Sequence, residues 1–159
     1  MAFIDYDSDD PVGNASFYNV NSAVGYGCPN MLEDVKVVQF FLKRVYSLED
    51  FKDLKPWGEM SVDGKVGPIT RAWIMKAQRD SNSLVDGIVN KAGNANNPSN
   101  WEASISHTHY VIRMINNTLR KRDTAVYKTL QTNPEVPADM RAIFLQIHAS
   151  GPPMNYGSS

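Results

Sequence analysis

The segment 62–70 constrains the fold of this chain most strongly, because it combines a tight turn with the start of a helix. Asp63 and Gly64 form a pair that favours a tight turn, since glycine accepts a positive φ angle without steric cost. Gly67 and Pro68 follow, and proline suits the first turn of a helix, where its missing N–H would have no partner in any case. The segment therefore predicts a turn that leads directly into a helix.

Apolar residues at helical spacing predict helices on both sides of this turn. We expect a first helix over 31–46, with Asn30 as its N-cap and Glu33 three residues later as in a capping box. The second helix should run over 68–80. The side chains expected on the inner faces are Val35, Val38, Phe41, Leu42 and Val45 in the first helix and Ile69, Ala72, Trp73 and Ala77 in the second.

Further helices are predicted towards the end of the chain. One should run from residue 106 or 107 to 122, a shorter one over 123–131, and a last one over 137–149. Their expected apolar stripes are Val111, Ile112, Ile115 and Leu119 in the first, and Met140, Ile143, Phe144 and Ile147 in the last. A second Asp-Gly pair, Asp86-Gly87, is flanked by apolar residues and predicts a short hairpin-like piece near 84–90.

Composition divides the chain into four parts. Residues 1–24 are predicted to be an extended polar and acidic arm, 25–92 a helical module, 101–150 a C-terminal helical extension, and 151–159 a loose tail. The polar stretch 91–100 is the best internal boundary. The fold class expected from these elements is mainly α.

Two blocks of sequence match a known family. The segment 34–42 contains a Val-Gln-x-x-Leu core on a helix, and 62–70 contains Asp-Gly followed by Gly-Pro-x-Thr, with Ala77-Gln78 near the end of the next helix. Residues 30–78 thereby resemble the peptidoglycan-binding domain family, a three-helix module of wall hydrolases and phage lysins. Two features depart from the pattern: Ala77 replaces an aromatic residue, and the connector 47–60 is longer than usual. The resemblance implies a three-helix fold with a shallow groove for wall peptide or glycan near the Asp-Gly loop.

Five residues are candidate ligand contacts under this resemblance: Trp57, Asp63, Lys65, Thr70 and Arg71. Trp57 stands in a Pro-Trp-Gly turn and offers an aromatic surface, although a loop tryptophan also commonly covers the edge of a core. Lys65 and Arg71 are candidates to meet a peptide carboxylate, with solvated surface charge as the alternative. The first role of Asp63 and Thr70 is to build the turn and the helix start.

The sequence contains no recognisable set of catalytic or metal-binding residues. Asp5, Asp7 and Asp9 alternate as in an EF-hand loop, but the glycine and glutamate that such a loop requires are missing. His107 and His109 are two residues apart, which on a helix separates them by about 200°, so only an extended segment would let them share zinc, with His148 as a third ligand.

Other chemistries find no support either. Cys28 follows a turn without a recognisable activating partner, and no pair of carboxylates stands in a glycosidase-like frame. The near balance of 16 basic and 17 acidic residues argues against a nucleic-acid partner. We therefore expect a protein that is not an enzyme and uses no metal or cofactor.

Two functions follow from the resemblance. The first is non-catalytic binding to peptidoglycan or muropeptides, which would target or anchor the protein to the bacterial cell wall. The alternative is a structural or adaptor subunit of a phage tail or tail-like injection particle, in which the module docks onto other subunits. Neither a secretory signal nor a membrane-spanning segment is visible in the sequence. We expect synthesis in the cytoplasm, followed by export along another route or incorporation into a particle.

Overall fold

The computed structural model of the chain describes residues 1–6, 15–93, 99 and 108–157. Among these residues, five helices accompany a two-stranded antiparallel sheet. The helices are α1 (Leu32–Val45), α2 (Pro68–Asp80), α3 (Val111–Arg122), α4 (Thr124–Tyr127) and α5 (Ala138–Ser150), and the strands are β1 (Phe3–Tyr6) and β2 (Ser16–Asn19). A single 3₁₀ turn, Lys52–Leu54, interrupts the connector between α1 and α2. The described chain is thus mainly helical with one small sheet.

Helix α1 lies at the centre of the fold and contacts α2, α3 and α5. The five predicted inward residues of α1 are all buried. Val37, Gln39 and Phe40 are buried as well, so the helix is enclosed on more than the single apolar face that its spacing predicted. The second face is covered because the C-terminal helices pack onto it.

Helix α2 begins and ends at the predicted residues, but its inner face differs from the prediction. Trp73 and Ala77 are buried as expected, whereas Ile69 is 39% exposed and Ala72 is also exposed. Ile74 is fully buried in their place. The prediction for Ile69 and Ala72 is wrong because α2 contacts α1 through a face that is rotated towards residues 70, 74 and 78.

Asn30 does not cap α1, contrary to the sequence-based prediction. Its φ angle is +48°, and its side chain closes the preceding loop instead: Nδ2 donates to the Gly25 carbonyl and Oδ1 accepts the Gly25 N–H, both at 2.8 Å. Met31 occupies the N-cap position without a side-chain capping bond. Glu33 and Asp34 in the first turn still favour the positive end of the helix dipole.

The N-terminal segment belongs to the core, so the prediction of a separate arm over 1–24 is wrong for its described part. Tyr18 of β2 is fully buried, and its ring centroid lies 5.8 Å from Phe41 and 5.2 Å from Phe144. The rings of Phe41 and Phe144 are themselves stacked at 5.6 Å. Edge-to-face and offset-stacked rings at these distances add to the gain from burial. The aromatic cluster therefore binds the N-terminal hairpin to α1 and α5.

The tail also packs against the fold over residues 151–157, where the prediction of a loose segment is wrong. Ser16 of β2 donates its N–H to the Asn155 carbonyl at 2.6 Å and accepts the Asn155 N–H on its Oγ at 2.9 Å. Arg120 Nη1 donates to the Tyr156 carbonyl at 2.9 Å, and the Tyr156 ring lies 6.0 Å from that of Tyr127. These contacts hold the tail beside the strand and α3.

The C-terminal helices follow the predicted pattern with shorter bounds. The four predicted stripe residues of α3 are buried, although its predicted start at residue 106 or 107 lies outside the described residues. Helix α4 ends at Tyr127 and is therefore shorter than the predicted 123–131. Helix α5 is displaced by one residue from its prediction, and Ile143 is only half-buried while the other three predicted residues are buried.

The predicted hairpin near 84–90 is replaced by a longer-range pairing. Val89 forms an isolated antiparallel bridge with Val24, in which Val24 N donates to Val89 O at 3.0 Å and Val89 N to Val24 O at 2.8 Å. The apolar residues before and after Asp86-Gly87 therefore do not form a hairpin with each other. Among the described residues, no helix has both the length and the hydrophobicity needed to cross a bilayer.

Candidate ligand-binding groove

A buried glutamine of α1 supports the first Asp-Gly turn from beneath. Gln39 Oε1 accepts the Gly64 N–H at 2.9 Å, and Gln39 Nε2 donates to Asp63 Oδ1 at 3.1 Å, to the Lys65 carbonyl at 2.9 Å and to Thr70 Oγ1 at 3.1 Å. Gly64 has a φ of +78°, which glycine adopts without strain. The Gln39 side chain is buried, so these bonds give partners to polar groups that would otherwise lower the stability of the fold.

A second buried glutamine supports the second Asp-Gly turn. Gln78 Oε1 accepts the N–H groups of Asp86 at 3.1 Å and Gly87 at 2.9 Å. Gln78 Nε2 donates to Asp86 Oδ1 and to the Ile88 carbonyl, both at 3.0 Å. Gly87 has a φ of +75°, close to that of Gly64. The two turns are therefore held in the same way, each by the helix that precedes it.

The two turns are copies of one local unit. In both, the residue two positions after the aspartate gives its carbonyl to the glutamine and donates its N–H to the aspartate Oδ1 at 2.9 Å. That residue is Lys65 in the first turn and Ile88 in the second, so its side chain takes no part in building the turn. The sequence signal is Val-Asp-Gly-x-Val at 62–66 and 85–89. Sequence reasoning noticed both Asp-Gly pairs but missed the glutamines as their common support.

The space beside the two turns differs. The first turn borders an open groove of about 330 Å³, lined by residues 59–61, 63 and 65–70. The second borders a pocket of only about 60 Å³, one wall of which is formed by residues 108–111 at the start of α3. The larger groove is the better candidate for a ligand, and it contains three of the five predicted contact residues, Asp63, Lys65 and Thr70.

Asp63 combines a scaffold role with a negative charge in the groove. The Lys65 N–H and the Gln39 amide both donate to its Oδ1, and these bonds hold the pKa of the Asp63 carboxyl below its ordinary value. The carboxylate is therefore ionised at neutral pH. The bonds from Lys65 and Gln39 both end on Oδ1, which leaves Oδ2 as the carboxylate oxygen for a ligand.

Trp57 stands beside the groove with almost no contact to the rest of the protein. Its side chain is 91% exposed, so the alternative interpretation that it covers an edge of the core is wrong. The next residue, Gly58, has a φ of +94° and faces the Ile69 side chain, which is part of the groove lining. The turn thereby presents a large aromatic surface to solvent next to a residue that contacts the groove lining.

Thr70 and Arg71 have contacts that differ from the predicted ligand role. Thr70 is only 5% exposed, and its hydroxyl accepts from Gln39 Nε2, so it belongs to the scaffold. The Arg71 guanidinium lies 5.3 Å from the centre of the Tyr26 ring and packs against Gly87 at the second turn. Arg71 is not among the residues that line the groove.

The alternative chemistries gain no support from the described residues. Burial, with a smaller contribution from Asp86, raises the pKa of the Cys28 thiol, which is the opposite of activation for nucleophilic attack. His148 Nε2 lies 2.7 Å from the Tyr18 hydroxyl, and Asp5 Oδ2 accepts from Asn19 Nδ2 at 3.0 Å. No three His, Cys, Asp or Glu side chains of the described ranges approach each other as metal ligands would. Residues 7–10 and His107, which belong to the calcium and zinc hypotheses, lie outside those ranges.

Comparison with known proteins adds nothing to this geometry. No family model, curated protein or solved structure matches the chain. A functional interpretation therefore depends on the groove, on the residues around it and on the motif resemblance described above.

Proposed function

We propose that this protein is a non-catalytic binding module that targets or anchors to bacterial peptidoglycan through the groove beside Asp63 and Gly64. The observation that carries the proposal is the almost complete exposure of Trp57, 91%, two residues before Glu59, the first residue of the groove lining. Burying a tryptophan side chain removes roughly 150–250 Å² from water, so covering one face is worth about 2–3 kcal/mol at roughly 25 cal/mol per Å². The flat apolar face of a sugar ring is a suitable partner for such a surface.

A three-helix peptidoglycan-binding-like unit is part of this proposal. The order of elements supports it, because α2 follows the first Asp-Gly turn and α3 follows the second. Within 25–92 the described chain has two α-helices and one 3₁₀ turn, so the third helix of the proposed unit is α3 rather than an element of the predicted module. The β1–β2 hairpin and α5 pack against α1 through Tyr18 and Phe144, and neither contributes a residue to the groove lining.

Binding through this groove should be weak for one ligand and useful on a polymer. An open groove of about 330 Å³ takes only a small part of a wall fragment. Each net hydrogen bond contributes about 0.5–1.5 kcal/mol. Insoluble peptidoglycan repeats the same chemical unit many times, and attachment of several copies to one particle or surface would multiply weak binding.

The alternative, a structural or adaptor subunit of a phage tail or tail-like injection particle, is supported by a different observation. Met31 and Leu32 at the start of α1 are 48% and 53% exposed, and the Leu32 side chain lies against Gly64. Together with Ile69 they place apolar surface on both sides of the first turn, as a protein-docking interface would. The chain termini give this alternative no support, because their described parts are folded onto the core.

Co-sedimentation with purified insoluble peptidoglycan tests the proposal. We expect the protein to sediment with the wall and to be released by soluble muropeptides, without any decrease in the turbidity of a wall suspension. A protein that stays in the supernatant but co-purifies with a large particle would favour the adaptor role. Clearing of the suspension would contradict the non-catalytic role.

A further inference from the structure

We infer that the groove recognises a free, doubly charged end of a wall stem peptide, with Lys65 pairing with its carboxylate and Asp63 with its ammonium group. This inference rests on the proposed function and specifies the part of peptidoglycan that the groove takes. Trp57 lies outside the groove lining and is left for the attached sugar.

The charges of the groove are the first argument. Three charged residues line it: Glu59, Asp63 and Lys65. Glu59 forms an i,i+4 ion pair with Lys55, at 3.6 Å between Nζ and Oε1. Within the described chain, Lys65 Nζ makes no ion pair, although its charge contributes to the lowered pKa of Asp63. One positive and one negative group, two residues apart, thus remain available to a ligand that carries both charges.

The second copy of the turn shows that the Lys65 side chain is not needed for folding. Ile88 occupies the equivalent position, and its N–H and carbonyl make the same two bonds as those of Lys65. The turn therefore also forms with an apolar residue there. An exposed lysine at a position where the scaffold accepts isoleucine is free to serve recognition.

The chemistry of the wall supplies a ligand of this kind. A stem peptide that has not been cross-linked ends in a carboxylate and carries the free side-chain amine of its diamino acid, whereas the glycan strand offers mainly neutral hydroxyl and amide groups. Charge-assisted hydrogen bonds are roughly twice as strong as neutral ones, so a groove with two unpaired charges favours the peptide end. Cross-linking consumes one of the two charged groups and should weaken recognition.

Calorimetric titration of the full chain with synthetic ligands tests the inference without relying on any variant. The probes are a stem tetrapeptide with free amine and free terminal carboxylate, the same peptide with an acetylated amine, the same peptide with a terminal amide, and chitotetraose. We expect the two blocked peptides each to bind about tenfold more weakly than the free one. Equal binding of free and blocked peptides would overturn the inference.

Two variants assign the charges to residues. Lys65→Ile copies the second turn and should bind the free and the amidated peptide equally, while Asp63→Asn keeps the Oδ1 acceptor and should no longer distinguish the free from the acetylated amine. Lys121→Ile, an exposed lysine at the end of α3, is the matched control and should bind like the unmodified protein. Unchanged discrimination in both groove variants would overturn the inference.

The failure of this inference is distinguishable from failure of the proposed function. If the protein sediments with insoluble wall and binds chitotetraose but not the free stem peptide, the groove recognises glycan, and only the inference is wrong. If it neither sediments with the wall nor binds any of the four probes, both are wrong.

Discussion

Gln39 Oε1 accepts the backbone N–H of Gly64 at 2.9 Å, so a helix residue positions a turn that lies 25 residues further along the chain. The same glutamine reaches Asp63 and Lys65, which border the candidate groove. The shape of the groove therefore depends on a buried amide that is not part of the groove lining.

Replacing Gln39 by alanine should destabilise the protein by about 2–4 kcal/mol. The change leaves the buried Gly64 N–H without its acceptor, which costs about 1–3 kcal/mol, and it removes the amide donor to the Lys65 carbonyl and to Thr70 Oγ1, at about 1 kcal/mol more. Urea unfolding followed by circular dichroism measures the difference. Gln146→Ala, at an exposed position of α5, is the control and should change stability by less than about 0.5 kcal/mol. Equal effects of the two substitutions would contradict the supporting role of Gln39.

Gly64→Ala and Gly27→Ala should differ, although both glycines have a similar positive φ, +78° and +73°. A methyl group at Gly27 meets no atom within 4 Å, so its cost is only the conformational one, about 1–2 kcal/mol. At Gly64 the new methyl group meets Cδ1 of the half-exposed Leu32 side chain, and turning that side chain aside adds about 0.5–1.5 kcal/mol to that cost.

The same unfolding measurement decides between a conformational and a steric origin. If Leu32 causes the additional loss, the double variant Leu32→Ala/Gly64→Ala should recover most of the difference from Gly27→Ala. Identical destabilisation by the two single substitutions would show that Leu32 does not restrict the turn.

His148 should make the protein less stable in mild acid. Burial lowers its pKa below the ordinary value of 6.5, and its Nε2 lies 2.7 Å from the buried Tyr18 hydroxyl. Because the folded state binds the proton less readily than the unfolded state, this contribution to stability is complete above pH 6.5 and is lost as the pH falls through the lowered pKa. The free energy of unfolding should therefore decrease between pH 7.5 and about pH 5, and His148→Gln should show a flatter profile. Parallel profiles would contradict this linkage.

Removing the charge of Asp123 should cost more than removing that of Asp50. Arg44 donates from Nε and Nη2 to the two carboxylate oxygens of Asp123, both at 2.9 Å, and the Asp123 side chain is only 12% exposed. The pair of Arg122 with Asp50 also measures 2.9 Å, but both of its side chains are 60% exposed. We expect Asp123→Asn to lower the free energy of unfolding by about 1–3 kcal/mol and Asp50→Asn by less than about 0.5 kcal/mol. Equal losses would show that burial does not strengthen the Arg44 pair.

The sequence predicted those elements whose signals are local. Helix α2 begins at Pro68 and ends at Asp80 as expected, because the Gly-Pro start and the helical spacing both lie within the segment itself. The apolar stripe of α3 was equally visible, because Val111, Ile115 and Leu119 lie four residues apart and Ile112 lies three residues before Ile115. Asp63 and Lys65 line the groove, but the sequence indicates them as ligand contacts only through the family resemblance, and that role stays a prediction.

The features that escaped prediction depend on distant partners. The acidic composition of residues 1–24 suggests a solvated arm, and only contact with Phe41 and Phe144 explains why Tyr18 is buried. The side of α2 on which Arg71 lies depends on how far this helix is rotated about its axis against α1. The spacing of apolar residues alone does not fix that rotation more closely than one residue position. Gln39 is the clearest case, because a polar residue in a helix gives no indication of which distant loop its side chain will support.

The binding isotherm of Trp57→Ala on purified insoluble peptidoglycan tests the proposed wall-binding role most directly. Leu145→Ala is the matched control, since Leu145 is 57% exposed on α5 and lies outside the groove lining. We expect Trp57→Ala to bind about 30- to 150-fold more weakly than the unmodified protein, because it loses about 2–3 kcal/mol of aromatic contact, and Leu145→Ala to bind normally. Superimposable isotherms for the three proteins would contradict wall binding beside Trp57.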